Sequence, residues 1–101
     1  MGQVIKVARK SDIPEGEGIA VTCGNERIAL FNVAGDIHAV SDTCPHAGGP
    51  LSDGWLEGTE VTCPWHGWSF DVQYRDEDPR DGVCRYKVHI EGDDVTIELP
   101  G

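Results

Sequence analysis

The sequence predicts an all-β protein built as one domain, and three observations carry that reading. Apolar and polar residues alternate over short segments, turn residues recur between those segments, and no stretch sustains helical periodicity. The chain has 101 residues, which leaves room for a single domain. A chain of that size folds alone by burying roughly two-thirds of its unfolded surface.

Residues 4–8 read as an opening strand. Gly18–Cys23 and Glu26–Val33 flank Gly24-Asn25, a short-turn signal, and Ala34-Gly35 turns the chain into Asp36–Ser41. Residues 86–90 and 95–99 form a hairpin across Gly92-Asp93, where Val88 and Ile90 can meet Val95, Ile97 and Leu99 on one face. Residues 11–15 and 50–54 hold a helical turn at most.

Residues 42–79 differ in kind, with all three Trp, four of the six Pro and five of the 13 Gly. They read as an insertion of loops with short strands at 60–63 and 69–72, between base segments 1–41 and 80–101. The acidic stretch 76–81 reads as a solvated loop around Pro79.

Eighteen acidic against eight basic residues give a formal charge of −10. That sign opposes binding to nucleic-acid phosphates. It suits transient docking onto basic patches of partner proteins, and equally a charge that only maintains solubility. Residues 1–20 contain no apolar leader core, and no run of about 18 apolar residues occurs. The expectation is a cytoplasmic protein with no membrane span.

Of the four cysteines, Cys23 and Cys84 stand apart from histidine, while Cys44 and Cys63 sit beside it. The pairs are Cys44-Pro45-His46 and Cys63-Pro64-Trp65-His66, separated by sixteen residues. Two thiolates and two imidazoles can surround a metal centre. Zinc accepts the same donors, although zinc fingers pair Cys with Cys and His with His along a chain. Chance placement of core residues is the third reading. Cys23 and Cys84 are expected to act as small buried hydrophobes. His38 and His89 are expected on strands as ordinary sheet or surface residues, and Trp55, Trp65 and Trp68 as packing that shields the site.

The segments Cys44-Pro45-His46-Ala47-Gly48-Gly49-Pro50-Leu51 and Cys63-Pro64-Trp65-His66-Gly67 resemble the two cluster-binding boxes of Rieske proteins. Leu51-Ser52-Asp53-Gly54 and Trp68-Ser69-Phe70-Asp71 extend the likeness. The resemblance implies a Rieske fold: an antiparallel, sandwich-like base with residues 42–79 as the cluster-binding subdomain. It implies one 2Fe–2S cluster, with Cys44 and Cys63 on one iron and His46 and His66 on the other. Such proteins include ferredoxins that carry single electrons from an NAD(P)H-dependent flavoprotein reductase to a terminal oxygenase acting on aromatic compounds. The small subunit of an assimilatory nitrite reductase is the alternative, and a zinc-bound structural module a more distant one. An oxygenase itself would need a mononuclear iron held by two His and a carboxylate, for which only His38 and His89 remain. The expectation is therefore a monomeric carrier and no enzyme.

Departures from high-potential Rieske proteins bear on the potential. Those proteins bridge the boxes with a disulfide, at positions that here are Gly49 and Trp65, and place hydroxyls where this chain has Trp68 and Phe70. Fewer donors to the cluster sulfurs disfavour the reduced form. The potential is expected near the low end of the Rieske range, about −150 mV rather than about +300 mV. Pro79 resembles the proline of a third, covering loop, but Tyr74-Arg75 stand near the place where a Thr-Gly turn is usual.

Overall fold

The computed structural model describes residues 3–23, 26–42, 50–65, 67, 69–72 and 84–99. Among these the chain forms strands β1 (Gln3–Arg9), β2 (Gly18–Cys23), β3 (Glu26–Val33), β4 (Asp36–Ser41), β5 (Trp55–Glu57), β6 (Glu60–Thr62), β7 (Ser69–Asp71), β8 (Arg85–Glu91) and β9 (Asp94–Leu99). Lys10–Asp12 and Leu51–Asp53 are short 3-10 turns. All pairings are antiparallel.

Six strands form one sheet in the order β1-β9-β8-β4-β3-β2, and β5-β6-β7 form a second, three-stranded sheet. The edge strands β1 and β2 also approach each other, so the larger sheet curls toward closure. Its hairpins follow from their turns. Val33 pairs with Asp36 across Ala34 and Gly35, both at positive φ (52° and 95°), as a twist-matched two-residue turn requires. Glu91 pairs with Asp94 across Gly92, whose φ is 64°.

Strand β3 explains how the two sheets are joined. It carries an unbroken buried run from Ile28 to Asn32, and side chains on a strand alternate between faces. Ile28 and Leu30 pack with Ile37, Ala39, Tyr86, Val95 and Ile97 inside the curled sheet. Ala29 and Phe31 point the other way, with Val40, and pack against Leu51, Val61, Cys63, Phe70 and Val72. One strand thus supplies two cores, and the second core seats the small sheet on the large one. Asn32, the polar member of the run, donates from Nδ2 to the Ile13 carbonyl at 2.8 Å and accepts the Gly35 N–H at 2.8 Å.

The predicted strands are present with their ends adjusted by a residue: the strands expected at 60–63 and 69–72 stop at Thr62 and Asp71, while those expected at 4–8, 86–90 and 95–99 extend to Gln3–Arg9, Arg85–Glu91 and Asp94–Leu99. Strand β5 is an addition. It is three residues long between two glycines, too short for an alternation pattern. Gly54 permits it to pair there: a Cβ at Gly54 would collide with the Thr62 carbonyl. The turn at Gly24-Asn25 and the acidic stretch 76–81 lie outside the described residues.

Candidate metal centre

Each segment that the boxes occupy is rooted in one of the two sheets. Strand β6 delivers Cys63 immediately after Thr62, the residue that pairs with both Trp55 and Ser69. The Thr62 and Ser69 hydroxyls are 3.0 Å apart. Past Cys63 the chain turns back, and the Gly67 N–H donates to the Cys63 carbonyl at 3.1 Å, with Gly67 at φ 75°. A side chain is strained at such a φ, so glycine suits this turn.

Cys63 is fully buried and is a free thiol. It lies in the same core as Leu51, Val61 and Phe70, which fixes its Cβ on the inner face of the turn. Cys44, His46 and His66, with Trp68 and Pro79, lie outside the described residues. Hydrogen bonds fix the residues that flank the first box and those that follow β7. Asp42 precedes the first box; its carbonyl accepts the Leu51 N–H at 2.6 Å and its Oδ1 accepts the Ser52 N–H at 2.7 Å. After β7, the Asp71 carbonyl accepts Nε of Arg85 at 2.7 Å, and the Ser41 N–H donates to the Cys84 carbonyl at 2.8 Å. The spans 43–49 and 73–83 therefore each begin and end beside these bonds.

The remaining residues singled out from sequence divide. Cys23 is buried as expected, whereas Cys84, the residue just before β8, is exposed. His38 lies on β4 and His89 on β8, where Nε2 of His89 is 3.6 Å from Glu98. Trp55 and Trp65 are not packing residues: 61% and 59% of their surfaces are exposed. Trp55 lies on the outer face of β5, opposite in direction to Leu56, and Trp65 belongs to the turn after Cys63. Sequence reasoning passed over Asp42, a buried acid two residues before Cys44. A lone acidic residue in a loop carries no pattern to flag it. A shallow cleft of about 310 Å³ lies elsewhere, lined by Glu15, Asn32, Val33 and Leu56.

A match to the Rieske [2Fe-2S] domain runs over residues 3–85. The chain belongs to the Rieske [2Fe-2S] family. A Rieske domain carries a single 2Fe–2S cluster, and a buried, unbridged thiol at the end of β6 fits one of its iron ligands. The 3-phenylpropionate/cinnamic acid dioxygenase ferredoxin subunits of Shigella boydii and Escherichia coli K12 are each 38% identical over 94 residues, covering 89% of this chain and 88% of each relative. A ferredoxin from Sphingomonas yanoikuyae B1 superposes with TM-score 0.82 at 28% identity, over 97% of this chain and 100% of that one. A complex of reduced oxygenase and oxidised ferredoxin of carbazole 1,9a-dioxygenase matches with TM-score 0.80 at 27% identity, over 93% of this chain and 91% of that one. A nitrite reductase small subunit from Mycobacterium tuberculosis shares the fold (TM-score 0.85, 21% identity, 100% and 98% coverage). The Rieske relatives at ferredoxin level carry electrons and do not transform a substrate themselves.

Proposed function

We propose that this chain is a diffusing one-electron carrier that takes electrons from an NAD(P)H-dependent flavoprotein reductase and delivers them to a terminal oxygenase. The observation that carries this reading is the 38% identity to dioxygenase ferredoxin subunits over 89% of the chain. In the proposed arrangement Cys44 and Cys63 hold one iron, and His46 and His66 hold the other. Residues 42–79 form the cluster-binding subdomain, and residues 1–41 and 80–101 the base.

The bound cluster supplies reversible uptake of one electron. Two ferric ions, two sulfides and two thiolates sum to zero charge, so neutral imidazole ligands leave the oxidised centre easier to reduce than a four-thiolate one. The protein's own part is to keep one side dry and another accessible. Leu51, Val61 and Phe70 exclude water around Cys63, and Phe70 offers no hydroxyl to the sulfurs, which supports a potential near the low end of the Rieske range.

Exposed Trp65 stands one residue from His66 and suits a docking contact, since buried aromatic anchors dominate many interfaces. The charge of −10 favours encounter with basic partner surfaces. The test is reconstitution with a reductase and an oxygenase resolved from the same cells. Product formation should require catalytic amounts of this protein, and its rate should fall with added salt and with Trp65→Ala. Turnover that proceeds equally well without the protein would defeat the proposal. Co-purification with a large sirohaem protein would instead favour the nitrite reductase reading.

A further inference from the structure

Both ends of the first Cys–His box converge on one buried carboxylate. Asp42 is 1% exposed, and its two oxygens face different partners. Oδ2 lies 2.6 Å from Nε of Arg27, and Oδ1 accepts the Ser52 N–H at 2.7 Å. The main chain of the same residue adds two bonds: its N–H donates to the Arg27 carbonyl at 3.0 Å, and its carbonyl accepts the Leu51 N–H at 2.6 Å. Arg27 belongs to β3, and its side chain is 61% exposed. Leu51, fully buried, belongs to the core that contains Cys63. A buried charge is unfavourable unless its lone pairs are satisfied, and here both oxygens are engaged, one by Arg27 of β3 and the other by Ser52 just past the box.

We propose that Asp42 is a positioning residue for the cluster. It holds the entry to the first box at Arg27 and the exit at Ser52, and so presents the ligands between them to Cys63. This rests on the assignment of Cys44 and His46 as ligands. Groups that orient metal ligands without touching the metal change affinity by roughly 10–100-fold when removed, and the same range is expected here.

The experiment follows the cluster absorbance of the cluster-loaded protein under excess iron chelator, well below its melting temperature, together with the EPR spectrum of the reduced form. The variants are Asp42→Ala, Asp42→Asn and Arg27→Gln. Val95→Ala, a cavity in the other core, serves as the matched destabilised control. Asp42→Ala should release iron roughly 10–100-fold faster than wild type and should shift or broaden the EPR signal. Val95→Ala should do neither. Asp42→Asn keeps an acceptor for the Ser52 N–H and should fall between. Arg27→Gln, at an exposed side chain, should accelerate release in the same direction and keeps the test decisive if Asp42→Ala does not fold. Iron release and spectra in the Asp42 and Arg27 variants that match Val95→Ala would overturn the positioning role alone. A wild-type spectrum in His46→Ala would overturn the ligand assignment and the positioning role with it.

Discussion

Tyr86 shows how a single side chain records the interior of the larger sheet. It packs inside with Ile28, Leu30, Ala39 and Val95, and burial, then Glu26, then Cys84 and Cys23, push its phenol up to about 12 from the usual 10. A raised pKa means that the folded state holds the proton more tightly than the unfolded one. Below pH 10 both states are protonated and stability is whole; between about 10 and 12 the unfolded chain ionises first and stability falls. Alkaline unfolding followed by circular dichroism should show this loss, and Tyr86→Phe should remove its share of it. An ionisation near 10 that leaves the structure intact and disappears in Tyr86→Phe would contradict the buried placement. Asp42 makes the complementary point about legibility. The two boxes were legible from residue type and spacing, because few other patterns place Cys and His this way. The carboxylate that joins the ends of the first box depends on a contact with Ser52, ten residues away, and on Arg27 from another strand, so no local pattern marks it.

At the scale of elements, the hairpin joining β3 and β4 carries a residue poorly suited to its turn. Ala34 is exposed and sits at φ 52°, where a non-glycine residue is strained by about 1–2 kcal/mol. Asn accepts this conformation more readily and is the usual partner of Gly in such turns. Ala34→Asn should stabilise the fold by roughly 0.5–1 kcal/mol, raising the melting temperature by a few degrees. An unchanged or lowered melting temperature would show that the turn is not strained. Strands β3 and β4 and the β8–β9 hairpin are legible from the turn residues between them. Strand β3 was bounded correctly by its turn residues, though its interior Ile28-Ala29-Leu30-Phe31 run does not alternate. The structure gives the reason: both of its faces are buried, each in a different core. Strand β5 escaped notice because its pairing is set by Gly54 and the Thr62 backbone rather than by its own sequence. Trp55 and Trp65 depart from the expectation of packing, because a large apolar residue is normally assigned inward. On a three-residue strand with Leu56 facing the core, Trp55 has only the outer face left.

For the whole molecule, the architecture divides the work between two sheets. The curled six-stranded sheet encloses one core, and its outer face, through Ala29, Phe31 and Val40, becomes the floor of the smaller sheet. Strand β6 of the small sheet runs directly into Cys63, Asp42 binds the Ser52 N–H on the far side of the first box, and Arg85 binds the Asp71 carbonyl at the end of β7. The measurement that tests the proposed centre most directly is an EPR-monitored redox titration of the cluster-loaded protein, wild type beside His66→Ala. A Rieske-type signal should appear on reduction with a midpoint below zero, and the His66 variant should lose it. A clearly positive midpoint would contradict the argument from Phe70 and Trp68, and an unchanged signal in His66→Ala would contradict the ligand set on which the proposed function stands.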